Sequence, residues 1–332
     1  MSHYQHLSIE ERESIWENRI KGKNIREIAK HLGRSPSTVS RELKRNQSPQ
    51  GYRPSAAQEQ YQMRRSRSRR RRLLGPGPLR DTVVRLLTQQ QWSPEQIAER
   101  LAVERGERQV SYSTIYRALK DGSMEPKGSR KNRYGRYPMQ KYLRRKGWRG
   151  TKKKRETASF VHQTIEERPG AAEKRSQFGH FEGDLIYSSF YKLYVVTLVD
   201  RRSRYLLTGI SYSKKPSEVA DVLASMLEKL PKGKLRSVTL DRGQEFAFHG
   251  NISEKLPKAV FYFAHPYSPW ERGTNENTNG LLRQYIPKNT YKVPFSPALL
   301  LQFTDKINHR PRKCLGWKSP FEVFFHKTLH LT

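Results

Sequence analysis

From about residue 178 the chain carries apolar runs in an order that few folds can accept. Residues 181–188, 192–199 and 203–211 are three apolar-rich stretches, parted by Ser189-Phe190-Tyr191 and by Arg201-Arg202. Gaps that short suit hairpin turns. Residues 216–230 repeat instead at helical spacing, with Val219, Val222, Leu223, Met226, Leu227 and Leu230 on one face. Residues 235–240 and 259–264 read as two further strands, and 274–284 as a helix. Hairpin-joined strands run antiparallel, whereas strands separated by helices can return parallel. The order predicts an α/β domain over residues 173–332, built on a mixed five-stranded sheet.

The first half is helical and much more basic. Ser8 suits the N-cap of a helix carrying Ile15, Trp16 and Ile20 on one face. A turn at Lys21-Gly22-Lys23 leads to a helix over 25–32, which Gly33 ends. Ser35-Pro36 then opens another, with Ser as cap and Pro at the first helical position. Val39 and Leu43 point inward from it, leaving Ser37, Thr38, Ser40, Arg41 and Lys44 outward. A short helix with a small residue (Ala29), a glycine turn and a polar-faced helix make helix-turn-helix spacing over residues 1–50. The outward helix would lie in a DNA major groove.

Residues 51–75 read as a basic helical segment, whose terminal Arg69, Arg70, Arg71 and Arg72 are expected to grip phosphates. Gly75-Pro76-Gly77-Pro78 marks a boundary. Residues 76–122 form a second helix-turn-helix-like unit, with Ser113, Thr114 and Arg117 on its recognition-type helix. Residues 123–172 read as a basic linker. Between 124 and 155 it has 14 Lys plus Arg against one acid, Glu125, with Tyr134, Tyr137, Tyr142 and Trp148 interleaved.

Charge narrows the function. Lys plus Arg number 65 against 31 Asp plus Glu in 332 residues, a formal net charge of +34. An excess on that scale belongs to a binder of polyanions, of which nucleic acid is the commonest. Cys314 is the one cysteine, so an internal disulfide and a cysteine-based zinc cluster are excluded. No long apolar run or signal-peptide pattern occurs, so a reducing, DNA-containing compartment is expected rather than a membrane.

The strand order is that of a ribonuclease-H-like sheet, and three acids stand at telling places on it. Asp184 lies inside a strand, Asp241 directly follows one, and Glu276 opens a helix. A charge inside a strand is costly without a partner. Carboxylates that converge without a cation between them repel, so an acid cluster in so basic a chain implies a metal. Phosphodiester chemistry supplies a reason for one, since two metal ions can activate the attacking oxygen and stabilise the leaving one. Glu271, in the turn Pro269-Trp270-Glu271-Arg272-Gly273, is the rival to Glu276. Glu182 shares a strand face with Asp184 and could support it or serve only the fold. Asp200 reads as a turn or ion-pair residue, and His180, His249, His265 and His309 share no metal-ligand spacing.

These residues carry a family resemblance. Gly-His-Phe-Glu-Gly-Asp-Leu-Ile (179–186), Pro-Tyr-Ser-Pro-Trp-Glu-Arg-Gly-Thr-Asn-Glu-Asn-Thr-Asn-Gly (266–280) and Asn-His-Arg-Pro-Arg-Lys-Cys-Leu-Gly-Trp (308–317) are similar to segments of insertion-sequence-30 family transposases. The likeness runs from the first helix-turn-helix to Phe321-Glu322-Val323-Phe324. It implies an integrase-type core in which Asp184, Asp241 and Glu276 hold two Mg²⁺ ions, with Mn²⁺ able to substitute. Arg283, seven residues after Glu276, would then face DNA from the same helix, and Arg272 would face it from the turn before. Phe181 stands where the family usually has Trp. The resemblance implies double-stranded DNA partners (an element's inverted repeats and its target), a homodimer or higher multimer, and residence in the bacterial cytoplasm at the nucleoid. Two other readings remain: a DNA-binding regulator with an inactive nuclease core, and a ribonuclease-H-type nuclease without strand transfer.

Overall fold

The computed structural model describes residues 5–68, 72–143, 163–266, 268–286 and 295–331. The chain divides into two compact units, Met1–Leu73 and Leu74–Thr332. Among the described residues no helix is long and apolar enough to cross a membrane.

The first unit holds α1 (Ile9–Ile20), α2 (Ile25–Leu32), α3 (Pro36–Asn46), a small hairpin of β1 (Gln47–Ser48) and β2 (Gly51–Tyr52), and α4 (Pro54–Ser68). Ser8 and Glu11 form a reciprocal capping box at α1, and Asn24 with Glu27 does the same at α2. Gly33 takes the left-handed conformation (φ 61°) that ends α2 and sets the turn. Ile15, Ile28, Ala29, Val39 and Leu43 make the core. The expected face of α1 needs correction: Trp16 and Ile20 are exposed, and Arg12 and Asn18 are buried with Ile15. Arg12 can enter because Glu42, the Leu7 carbonyl and Gln58 take up its guanidinium at 2.6–2.7 Å. An apolar periodicity count cannot foresee a paired arginine in the core.

In the second unit α5 (Pro78–Thr88), α6 (Pro94–Arg105) and α7 (Tyr112–Asp121) surround Val83, Leu86, Trp92, Ile97, Leu101, Ile115 and Leu119. Each of α6 and α7 starts at a serine cap and stops at a left-handed glycine. Part of the expected linker packs on this cluster through Met139, whose N–H donates to buried Glu125 at 2.7 Å. Residues 144–162, including Trp148, lie outside the described residues.

After the short α8 (Gly170–Glu173) comes the sheet: β3 (His180–Ser188), β4 (Leu193–Asp200), β5 (Leu206–Ser211), β6 (Ser237–Leu240) and β7 (Val260–Phe263). Its order is β5-β4-β3-β6-β7, antiparallel across β5, β4 and β3 and parallel across β3, β6 and β7. This is the mixed ribonuclease-H-like sheet that the strand order predicts. The third strand begins at Leu206 rather than 203, because Asp200 holds Ser203 in a turn through both its N–H and hydroxyl.

Helix α9 (Pro216–Glu228) covers one face through Val219, Leu223 and Leu227, with α10 (His249–Lys255) beside it. The other face is covered by α11 (Gly273–Leu282) and α12 (Pro297–Asn308). The last helix, α13 (Pro320–Phe325), inserts Phe324 into the α9-side core. Its Glu322 takes both guanidinium nitrogens of Arg100 on α6 at 2.7 Å, joining the second helical unit to the sheet domain.

Candidate active site

Strand β3 delivers two carboxylates with opposite surroundings. Glu182 is fully buried; it accepts from Arg201 at 2.7 Å and from the Asn275 N–H, in the first turn of α11, at 2.8 Å. Asn275 returns a bond from its amide to the Glu182 carbonyl at 2.9 Å, and Thr197 of β4 donates to the same side chain at 3.2 Å. Arg201 also reaches the carbonyls of Ala172 and Glu271. One buried carboxylate thus ties β3 to α11 and, through Arg201, to the turn before it. Burial pulls the Arg201 guanidinium below its ordinary value, against the pull of Glu182.

Between the two acids sits Gly183. A Cβ there would lie 2.5 Å from Leu240 Cδ2 and 3.2 Å from Leu198 Cδ2, so the glycine leaves room for these two buried leucines against the strand. Asp184 follows, half-buried, two residues beyond the Glu182↔Thr239 register pair. Asp241 is two residues beyond Thr239, so the parallel register brings the two aspartates level on neighbouring strands.

Both meet Arg272. Its guanidinium lies 3.0 Å from Asp241 Oδ2 and 3.7 Å from Asp184 Oδ1, and donates to the Gly183 carbonyl at 2.9 Å. Burial works against its charge, but Asp241, Asp184 and Glu182 outweigh it and hold the group above its ordinary value. Asp184 Oδ2 also accepts from Asn279 on α11 at 2.8 Å.

Glu276 is exposed in the first turn of α11. It precedes Asn279 by three residues, so the two are neighbours on the helix surface. Among the described residues no three His, Cys, Asp or Glu side chains converge as a metal cage. The rival Glu271 is fully engaged elsewhere: the His265 N–H donates to one oxygen at 2.8 Å, and His265 Nδ1 lies 2.9 Å from the other. His265 Nε2 is 2.9 Å from Glu166, and its hydrogen bond to Glu271 raises it above the usual imidazole range.

Residues 3–46 match the family model described as a helix-turn-helix domain. The transposase of insertion sequence element IS30A from Escherichia coli (strain K12) is 37% identical over 323 residues, covering 96% of this chain and 83% of its own. That of IS1086 from Cupriavidus metallidurans is 36% identical, covering 96% and 94% respectively. That of IS4351 from Bacteroides fragilis is 38% identical, covering 90% and 88%. The chain belongs to the insertion-sequence-30 family of transposases. A solved catalytic core domain of BIV integrase overlays 45% of the chain and 95% of its own length, with a TM-score of 0.38 and 16% identity.

The DNA-contact residues expected of this transposase stand at several places. On α3, Ser37, Ser40, Arg41 and Lys44 are exposed and Thr38 is half-buried; Arg41 folds back on the Ser37 carbonyl at 3.0 Å. On α7, Ser113 and Arg117 are exposed and Thr114 is half-buried. Arg69, Arg70 and Arg71 lie outside the described residues, and Arg72 is exposed. Arg283 is half-buried at the end of α11. Arg272, also expected to face DNA, lies against the two aspartates.

The sequence pattern of this transposase passed over Arg201, Asn275 and Asn279. All three act through the β3–α11 contact, which no spacing within one segment encodes. The histidines take other parts. His180 is buried 2.8 Å from Ser237 Oγ, and burial drives it down to about 4. His249 packs on Phe261 and Phe263, and His309 stacks on Phe321.

Proposed function

We propose that this transposase binds the terminal inverted repeats of a mobile element and carries out metal-dependent strand cleavage and strand transfer with Asp184, Asp241 and Glu276. The observation that carries this reading is the pair of level aspartates sharing one cationic group, Arg272. The guanidinium stands in for a cation at the place where two strand-borne carboxylates meet. An all-oxygen donor set of this kind suits Mg²⁺, and Mn²⁺ by the same chemistry. Asp184 and Asp241 would hold the ions from the sheet, with Glu276 completing the set from α11. Bound there, they would polarise the attacking oxygen and stabilise the leaving one.

The chain's own residues orient that chemistry. Asn279 fixes one oxygen of Asp184, and the backbone at Gly183 and Gly243 locks the neighbouring geometry, the latter donating to Asp241 at 3.2 Å. Glu182 seats the helix that carries Glu276. Water attacks the phosphodiester at the element's end and frees a 3′-OH, which then attacks a second phosphodiester. Both are in-line displacements at phosphorus, so one site serves both. The exposed polar faces of α3 and α7 would select the repeats, and two or more copies would hold both ends together.

The test is cleavage and joining of element-end duplexes with Mg²⁺ or Mn²⁺. Asp184→Asn, Asp241→Asn and Glu276→Gln each abolish product while repeat binding survives. Glu271→Gln keeps cleavage above background, because its carboxylate serves His265. Cutting by the Glu276→Gln protein alongside loss in Glu271→Gln would reverse the choice of glutamate. Wild-type protein that binds the repeats yet never cuts or joins them would instead favour the DNA-binding regulator.

A further inference from the structure

We propose that the groove between α6 and the segment following α13 is an additional site for a DNA sugar-phosphate strand, distinct from both helix-turn-helix surfaces and from the carboxylates. The groove encloses about 510 Å³ and is walled by Arg100 and Glu104 of α6, by Phe178 and Arg202, and by Lys318 and Lys327. Its two acids are each paired with Arg100. Glu322 is gripped at both oxygens by Arg100, and Glu104 accepts from the Leu331 N–H and lies 3.7 Å from Arg100.

The cations are not matched in this way. Arg202 and Lys234 both lie over the ring of Phe178, at 4.3 and 4.0 Å from its centroid. Among the described residues none of Arg202, Lys234, Lys318 and Lys327 is ion-paired, and Lys318 and Lys327 stand exposed at the rim. Burial holds Lys234 below its ordinary value, against the pull of Asp200 and with a smaller push from Arg202. An aromatic face attracts cations but does not cancel the repulsion between two of them. A phosphate nearby would offset it.

Arg202, Lys318 and Lys327 line the groove from separate stretches of chain, and Lys234 lies beside it over the Phe178 and Phe324 rings. That layout follows successive phosphates of a strand better than it encloses one small anion. Phe178 precedes Asp184 by six residues, at most about 20 Å of extended chain. A duplex reaching both places would span about six base pairs. The proposal rests on the DNA reading for its choice of ligand, and on nothing about catalysis.

The test is acylation of lysines on the full-length protein, read by mass spectrometry in the presence of a metal chelator. Samples contain no DNA, a duplex of unrelated sequence, or inorganic phosphate at the same phosphate concentration. Labelling of Lys234, Lys318 and Lys327 is expected to be lost with the duplex and kept with inorganic phosphate. Labelling unchanged by a duplex that does protect Lys44 overturns the proposal. Equal protection by inorganic phosphate overturns it in favour of a small-anion site. In parallel, the Arg202→Ala, Lys327→Ala double variant should lower the slope of log K against log salt by about 2, with melting unchanged. An unaltered slope in a folded variant also overturns the proposal. Because no cutting is needed, failure of strand chemistry would leave this result readable.

Discussion

Glu182 and Asp184 stand two residues apart on the same face of one strand, yet they meet opposite conditions. Glu182 is sealed from water, with both oxygens occupied by Arg201 and a helix N–H. Asp184 is about a quarter exposed and shares Arg272 with Asp241. The difference separates two uses of a carboxylate. A sealed, fully bonded acid fixes geometry, because any exchange of its partners exposes a buried charge. An acid that keeps water access and a cationic neighbour on a side chain can exchange that neighbour for another cation.

The sharpest way to break this comparison is to exchange the phenotypes. Glu182→Ala leaves Arg201 buried without its carboxylate and strips the cap from α11. Removing one partner of a buried pair costs about 3–5 kcal/mol. Urea unfolding should show that loss. Asp184→Asn is expected to leave the unfolding midpoint almost unmoved while strand chemistry disappears. A Glu182→Ala protein with wild-type stability, or an Asp184→Asn protein that unfolds early, would erase the distinction.

A second sealed acid tests whether the rule holds away from the site. Glu322 is buried against Arg100, and its carboxyl is held at about 2. Burial alone would raise it; the Arg100 hydrogen bond and the N–H groups of Ser319 and Leu329 outweigh that. A depressed folded value means the stabilisation is complete above the ordinary glutamate range, near 4.5, and fades as pH falls toward 2. Wild-type stability should therefore fall between about pH 4.5 and 2, and Glu322→Gln should flatten that part of the profile. Equal slopes for the two proteins would remove Glu322 from the list of fixing acids.

Which of these features could be read from the chain follows from how local each one is. Asp184, Asp241, the helix caps and the apolar runs of β3 to β7 are encoded within segments of a few residues. Arg201 looked like half of a hairpin turn, because its partner lies across the β3–β4 register in which Phe181 faces Asp200. The place of Arg272 between two aspartates is not legible either, because they lie 31 and 88 residues away in sequence. Trp16 and Ile20 looked like core, and the place went to Arg12 because the distant Glu42 and Gln58, with the nearby Leu7 carbonyl, satisfy it. Long-range pairing of charged groups is thus what local apolar patterning misses, and it is also what builds the site.

The smallest expected effects concern α3, where the same contrast between engaged and available groups appears on one helix. Val39 and Leu43 are buried, while Arg41 and Lys44 are exposed one turn apart. Arg41 is the more ordered of the two, since its Nε donates to the Ser37 carbonyl and Nη2 lies 3.3 Å from Ser37 Oγ. A guanidinium pre-set beside the N-terminal turn can present a fixed fork to a base edge, whereas a lone lysine ammonium neutralises phosphate with little regard to sequence. Arg41→Ala should therefore cost about 1–3 kcal/mol on the repeat and relax preference at one position. Lys44→Ala should weaken all sequences alike and lower the salt slope by about 1. Titrations of repeat and unrelated duplexes across a salt series resolve the two. If Arg41→Ala weakened both duplexes equally, the ordered guanidinium would be a phosphate clamp, and base reading would pass to Ser37 and Thr38.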